Sequence, residues 1–420
     1  MRRKIIAELA KQYVKEEREI IQSLYKSKRI TPYITRNVKN RLVIDKTQIN
    51  IEELIILDYY KLLLNKYCNL KFPNRSYIMA EIMNIVPDLH CYHAYTIYKF
   101  DFQDFFNTVS SIKSFDYLCE ALDLRTYEYD FLKKYTNTIN KLIPGIGLHN
   151  TLVEIMGENF DLEVKKAFKE SCLYYARYVD DCILILDERV DRSRIEEVIF
   201  KLMSQCFGNK LKVNNIKTDY YNSLDTKIKF DYLGYEFKNG QSVKSKFQFG
   251  IAENKLNKYT VKLNDIVLEY KETNNIEVLS YKLEIFFKRI VYFGVRKNSN
   301  KYRWQVRGFS DSYKELKRFM TNNNDFSRIT SDTKNFFTRT IERRFTINQV
   351  AVPAEINNQL KNNKFISCFL KDRTVLLHRR LGLTHEKLKQ KLYILDNGNS
   401  NFENDSYNEL AKKMLTIINK

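Results

Sequence analysis

Cysteine is sparse and badly placed for pairing: seven in 420 residues, at 68, 91, 119, 172, 182, 206 and 368, an odd number with no CxxC. This excludes a disulfide framework and fits reduced thiols in a cytoplasmic protein. The cluster His90-Cys91-Tyr92-His93 has no second pair of ligands at zinc-binding spacing, which sets a structural zinc site aside. Long apolar runs are missing too. The N-terminal MRRKIIAELAKQYVKEEREI is charged throughout, and the most apolar stretch, around 54–64, is interrupted by Asp58 and Lys61. Neither a signal peptide nor a membrane span is expected. There is no internal repeat and no long low-complexity tract. Glycine and proline number only 11 and 5, so the break at Pro144-Gly145-Ile146-Gly147 stands out as punctuation.

What the chain has in quantity is apolar residues, tyrosine, phenylalanine and positive charge. An apolar content of 44% supports a sizeable core. The 29 tyrosines and 27 phenylalanines exceed what a core strictly needs and suit a protein that stacks bases on exposed rings. The net charge of +20 makes a polyanion, with nucleic acid foremost, the natural partner. Apolar periodicity predicts helices over 3–27 and 50–66, a strand over 94–100 and largely helical chain over 102–137. It continues with a helix over 151–168, strands over 172–177 and 182–186, a helix over 191–206 and a strand over 229–237. Residues 253–420 read as mostly helical. The fold class is α+β, an antiparallel sheet with helices on one face.

Chemistry enters at Tyr174-Tyr175-Ala176-Arg177-Tyr178-Val179-Asp180-Asp181-Cys182-Ile183-Leu184-Ile185-Leu186, where two adjacent aspartates sit between apolar strands. Buried without partners they would cost several kcal/mol each. A divalent cation with hard oxygen ligands resolves this, and magnesium or manganese fits. Upstream, in Tyr98-Lys99-Phe100-Asp101-Phe102-Gln103-Asp104-Phe105-Phe106, Asp101 follows a strand and opens a helix. A third carboxylate from a neighbouring strand would complete a two-metal site for phosphoryl transfer.

In these segments the chain resembles the reverse transcriptases, with several motifs in the family's order. Asp101 matches the first catalytic aspartate, and Tyr178-Val179-Asp180-Asp181 matches the YxDD box. Leu211-Lys212-Val213-Asn214-Asn215-Ile216-Lys217-Thr218 is similar to the LxxNxxKT pattern, and Phe230-Asp231-Tyr232-Leu233-Gly234-Tyr235 to the primer-grip hairpin. The segment Leu152-Val153-Glu154-Ile155 through Phe160-Asp161 is closer to the bacterial abortive-infection and defence-associated (Abi/DRT) members than to retroviral enzymes. No maturase, integrase, RNase H or HNH signature is recognisable. The motifs span about 70–240.

The resemblance implies a right-hand polymerase fold with an antiparallel palm sheet, helical fingers and a mostly α-helical thumb and C-terminal region. The corresponding boundaries are N-terminal helices and fingers over 1–95, a palm with interleaved fingers elements over 96–240, a thumb over 241–330 and a C-terminal region over 331–420. It implies RNA-directed DNA synthesis by two Mg2+ ions, or Mn2+, held by Asp101, Asp180 and Asp181 with Phe102 in the metal set. Asp104, Phe105, Phe106, Gly145, Lys217 and Arg75 would contact the incoming nucleotide, with Phe106 as a steric gate against a ribose 2′-hydroxyl and Lys217 facing the pyrophosphate. Tyr178, Leu233 and Gly234 would contact nucleic acid. So would Lys288, Arg289, Arg296, Lys297, Lys301, Arg303, Trp304 and Arg307. In 288–307 seven basic residues meet no acidic one, and Tyr302 and Trp304 interleave with them.

The expected partners are an RNA template or non-coding RNA, the DNA product and dNTPs, with no membrane and with homo- or hetero-oligomers allowed. The expected setting is antiviral defence. One segment departs from the family. Pro144-Gly145-Ile146-Gly147-Leu148-His149 lacks the usual Gln, and His149 stands where a small Ser is common. That keeps template-independent or protein-primed synthesis open. The reading of another class is a non-catalytic nucleic-acid-binding scaffold, against which the intact aspartates weigh. A nucleotide cyclase would need a Gly-Gly-acidic hairpin, which is missing.

Overall fold

The computed structural model describes the chain apart from residues 26–29, 31, 39–40, 241–244, 296–301, 321–325, 397–401, 403 and 420, and apart from the side chains of residues 121, 295, 302 and 419. It is of mixed α+β class and divides into two units, Met1–Asp225 and Thr226–Lys420.

The first unit opens with α1 (Arg2–Tyr13), α2 (Glu17–Tyr25) and a hairpin of β1 (Thr35–Val38) and β2 (Arg41–Ile44). Next come α3 (Ile51–Tyr67), α4 (Arg75–Ile85), β3 (Thr96–Gln103), the single turn α5 (Phe105–Thr108), α6 (Ser111–Ala121), α7 (Thr126–Thr138) and α8 (Gly147–Ala167). The hairpin β4 (Cys172–Tyr178) and β5 (Asp181–Leu186), α9 (Arg192–Phe207), β6 (Lys212–Val213) and β7 (Asp219–Asn222) complete it. The continuous helix expected over 3–27 is two helices. Val14 takes φ 53°, and its N–H caps Ala10 O. The spacing does not show the break: Ile5, Leu9, Tyr13 and Ile20 are four, four and seven apart and would share one face of a straight helix.

β3 is the middle of an antiparallel sheet, with β5 on one side and β6 and β7 on the other, and β4 outside β5. Side chains alternate across a strand. Tyr98, Phe100 and Phe102 of β3 therefore enter the same core as Leu184 and Leu186 of β5. α8 and α9 close that core, with the Phe102 ring 5.6 Å from Phe160 and 5.5 Å from Phe207. Asp101, between two core phenylalanines, is forced to the other face. Helices were expected on one face only. The structure corrects this at the sheet edge, where Tyr174 of β4 points away from that core and its hydroxyl donates to Ile78 O of α4 (3.3 Å) and to Glu81 (3.1 Å).

The second unit begins with a meander of β8 (Lys229–Tyr232), β9 (Tyr235–Lys238) and β10 (Gln248–Ile251). It continues through α10 (Glu253–Thr273), α11 (Ile276–Phe286), β11 (Arg289–Val295), β12 (Tyr302–Arg307), α12 (Phe309–Ser312), α13 (Ser331–Ile347), α14 (Ala354–Lys361) and α15 (Lys364–Leu370). β13 (Thr374–Leu377), α16 (His385–Leu395) and α17 (Tyr407–Asn419) follow. The basic segment assigned to a helical tail is thus an antiparallel hairpin, and β13 adds parallel to β11. Its residues explain the difference. Ile290, Val291, Tyr292 and Phe293, then Trp304 and Val306, are β-branched or aromatic, and they alternate between a buried and an outer face. Among the described residues, no helix is long and apolar enough to cross a membrane.

His149 lies wholly buried in the first turns of α8. Its Nδ1 is 2.8 Å from Ile143 O, and its Nε2 is 2.8 Å from the Tyr135 hydroxyl. This arrangement suits a neutral ring that donates from Nδ1 and accepts at Nε2. Burial lowers its pKa to about 4. Between about pH 6.5 and 4 the unfolded chain then binds a proton that the folded chain refuses, so this group's contribution to stability falls as pH drops through that window. The loss amounts to about 3 kcal/mol. Urea denaturation at pH 7 and 4.5 should show a pH-dependent loss smaller by roughly that amount in His149→Gln than in the wild type; equal losses would remove His149 as the cause.

Candidate metal and nucleotidyl-transfer site

The site is built from the middle of the first unit's sheet. Asp101 on β3 stands directly opposite Asp181 on β5 in the antiparallel register, and Asp180 is in the loop that precedes β5. One carboxylate oxygen from each of the three residues lies within 4.8 Å of the others. Asp101 is only 3% exposed. Like charges placed opposite each other destabilise a sheet, and the cluster shows it. Burial, followed by the charge of Asp101, raises the carboxyls of both Asp180 and Asp181, the latter to about 6. The shortfall of positive charge is met in part by Lys217, whose Nζ donates to Asp101 Oδ2 at 2.7 Å. Three converging hard oxygen donors suit magnesium or manganese. Asp101, Asp180 and Asp181 would hold it.

Lys217 arrives by a local device. Asn214 N donates to Asp101 O (2.8 Å), while the Asn214 side chain accepts from Ile216 N (3.2 Å) and its carbonyl from the Lys217 N–H (3.0 Å) and the Thr218 hydroxyl (2.9 Å). The turn over Asn215–Lys217 is thereby fixed to the same β3 residue that its lysine reaches.

The loop joining β4 to β5 has two residues, Val179 and Asp180, because Tyr178 pairs directly with Asp181. Val179 sits at φ 63°. A β-branched residue there is an outlier, costing on the order of 1–3 kcal/mol, at a place two-residue hairpins usually give to glycine or asparagine. Both loop carbonyls are tied down. Asp180 O accepts from Phe102 N of β3 (3.1 Å), and Val179 O accepts from Arg177 Nη1 (3.2 Å).

Arg177 is the residue that sequence reasoning passed over. Its side chain is 1% exposed. Nη2 donates to Glu154 Oε1 at 2.7 Å and Nε to Asp161 Oδ1 at 2.9 Å, while the Tyr175 hydroxyl also donates to Asp161 (2.9 Å). Burial opposes the guanidinium's charge, and Asp161 and Glu154 outweigh it, raising its pKa. Gly157 makes the space, since a Cβ there would lie 2.2 Å from Arg177 Nη2. Positions 154, 157 and 161 fall on one stripe of α8. Two acids and a glycine on one stripe of α8 were the available signal.

The other expected residues take the following places. Phe102 and Phe105 are buried, their rings 4.9 Å apart. Phe106 is half-buried, with its ring 5.7 Å from Phe105. Asp104, exposed at φ 49°, precedes α5 and accepts from Asn107 Nδ2. Arg75 opens α4, and Tyr178 ends β4. Gly145, at φ 129°, packs on β2, where a Cβ would lie 2.8 Å from Ile44 N. In the second unit, Leu233 and Gly234 form the β8–β9 turn, both at positive φ. Lys288 pairs with Glu284, and Arg289 lies 3.7 Å from Asp311. Arg303, Trp304 and Arg307 are exposed on β12. Arg296, Lys297 and Lys301 lie outside the described residues, as does the side chain of Tyr302.

Arg177→Ala leaves Glu154 and Asp161 buried without their cation, and urea denaturation should show a loss of about 3–5 kcal/mol. Gly157→Ala should also destabilise, although alanine favours a helix over glycine by about 1 kcal/mol. A Gly157→Ala protein as stable as the wild type would mean that the guanidinium moves aside freely and clamps nothing.

No family model and no curated protein matches the sequence. Among solved structures, the chain is similar to the apo telomerase of Candida tropicalis truncated from its C-terminal domain, at 12% identity and TM-score 0.34 over 50% of this chain and 52% of that one. It is also similar to the telomerase of Candida albicans in complex with the TWJ fragment of telomeric RNA, at 15% identity and TM-score 0.35 over 86% of this chain and 56% of that one. This chain spans about half the length of either telomerase chain.

Proposed function

We infer that the chain is an RNA-directed DNA polymerase whose nucleotidyl-transfer site is Asp101, Asp180 and Asp181. The observation that carries this reading is the convergence of three carboxylate oxygens to within 4.8 Å across two paired strands, on a loop held in a strained conformation. Strain and uncompensated charge together are what a site keeps when ligand binding needs them. The motif order read from the sequence adds the reaction class. A pair of divalent cations bound there supplies activation of the attacking hydroxyl and stabilisation of the leaving oxygen. The chain's own part is positional: β3 and β5 fix the carboxylates, Arg177 and Phe102 N fix the loop, and Lys217 brings a cation to the place where phosphate charge would gather.

Antiviral defence with an associated RNA is the proposed setting, on the resemblance to the defence-associated group. A second reading, template-independent or protein-primed synthesis, is favoured by His149. It stands where the family commonly has a small serine, yet it is buried against Tyr135 and Ile143 and offers nothing to a template.

Asp180→Asn with Asp181→Asn should abolish incorporation of labelled dNTPs in magnesium, whether or not RNA is supplied. Without metal the double variant should melt no lower than the wild type, because it removes repulsion, and added magnesium or manganese should raise only the wild-type Tm. Incorporation at the wild-type rate would end the polymerase reading.

Phe106 is the second residue of α5, and a deoxyribose-selecting ring would stand there. Phe106→Ala should raise the use of a matched rNTP over the dNTP in a competition assay, with metal-dependent stabilisation unchanged. If the ratio stays constant while activity survives, the ring is core packing.

A further inference from the structure

The β12–β11–β13 sheet of the second unit has one buried and one open face. Ile290, Tyr292, Val375 and Leu377 point into a core with Leu388 and Leu392 of α16 and with Leu410 and Met414 of α17. The opposite face carries Phe293, directly across from Trp304, and His378 just beyond the end of β13. These three rings touch. Phe293 and Trp304 are 5.2 Å apart edge to face, and His378 is 5.1 Å from Trp304 and 6.1 Å from Phe293. Large rings on a surface are usually turned inward, yet Phe293 is 42% and Trp304 47% exposed.

The charge around this face has one sign. The three strands contain no acidic residue. Arg379 and Arg380, next to His378, are exposed and form no ion pair among the described residues, whereas Arg303 and Arg307 alternate with Trp304 and belong to the other face, where the Arg307 guanidinium lies 5.2 Å from the Tyr292 ring centre. The His378 ring is oriented locally, since Arg380 N and Leu381 N donate to its Nδ1 at 3.4 and 3.2 Å. That leaves the ring edge with Nε2 free of a local partner among the described residues.

We propose that this face, centred on Phe293, Trp304 and His378, is a stacking platform for single-stranded RNA. The proposal rests on the nucleic-acid-directed reading above and adds where unpaired bases are held. Three considerations select this occupant. Rings accept bases only when the bases are unstacked, which favours single strands over duplex. The guanidinium groups of Arg379 and Arg380, next to His378, complement phosphates, whereas a second copy of this chain would bring the same arginines and the same +20 charge. The edge strand β12 is short and carries two arginines, the pattern that discourages edge-to-edge pairing with another sheet.

Trp304 is the only tryptophan in the chain, so its emission reports on this face alone. The experiment titrates the full chain with an unstructured oligouridylate of about 20 nucleotides, and separately with a duplex RNA of the same length, following Trp304 emission. The expected result is saturable quenching by the single strand, with weaker or no quenching by the duplex. Affinity should fall steeply between about 50 and 200 mM salt. Phe293→Ala and His378→Ala should each weaken binding by about tenfold. Arg379→Gln with Arg380→Gln should weaken it and flatten the salt dependence while leaving the quenching at saturation intact.

Trp304→Ala, followed by anisotropy of a labelled oligouridylate, should lose affinity to a similar degree, and circular dichroism checks that it is folded. RNA binding without any change in emission, or with affinity unchanged in both Phe293→Ala and Trp304→Ala, would overturn the proposal. So would a preference for duplex. An emission shift that appears with protein concentration alone, together with dimers in sedimentation, would assign the face to a second copy and overturn it as well. The Asp180→Asn, Asp181→Asn protein should quench like the wild type, so failure of the polymerase reading and failure of this platform are told apart.

Discussion

Three carboxylates that repel one another are held in one place, and much of the first unit is organised around keeping them there. Asp101 and Asp181 are fixed by strand register and Asp180 by a two-residue loop, so none can move away without breaking the sheet. Burial, and after it the repulsion, raises the carboxyl pKa values of Asp180 and Asp181. It is offset from outside by one lysine, half in solvent, that reaches Asp101. Behind the loop, a second charge cluster of opposite design is complete in itself: Arg177 has two acidic partners and almost no exposure. The front cluster is unbalanced, open to cations and reactive. The rear cluster is balanced, closed and rigid. A buried ion pair of the second kind contributes little net stability over an apolar substitute, but removing one member is costly. Its value lies in fixing where the Val179 carbonyl, and with it the loop, must be.

The aspartates were legible in the sequence because burying adjacent acids between apolar strands makes sense only with a cation. The strand was legible only as far as residue 100: Asp101 and Phe102, read as following the strand and opening a helix, lie within β3, where Tyr98, Phe100 and Phe102 alternate at period two. What escaped was the support. Glu154 and Asp161 share a stripe of α8 with Gly157, but that they pair with a strand residue 23 and 16 positions away is a tertiary fact the stripe alone does not give. The hairpin of β11 and β12 escaped for a different reason. Basic residues flank its apolar positions, and Lys and Arg fit helices as readily as strands, so charge masked the alternation of Ile290, Val291, Tyr292 and Phe293. The break at Val14 escaped because no glycine or proline marks it.

Charge serves different ends at two scales. The chain as a whole, with 71 basic against 51 acidic residues, attracts polyanions from a distance. The acidic cluster on β3 and β5 is a local exception within that field, and it repels the same phosphates until cations intervene. Binding a nucleic acid and placing a phosphate at the aspartates are therefore separable events with separate ionic requirements: the first weakens with salt, and the second depends on a divalent ion that salt does not replace.

Val179 shows what this arrangement means for change over time. Glycine would relax the backbone at φ 63°, and a selection for stability alone would favour it. Valine's branched side chain instead narrows the conformations the loop can sample. The position thus sets heat tolerance against fidelity of placement, and lineages under pressure to survive higher temperature would be drawn toward a sturdier fold with a looser site.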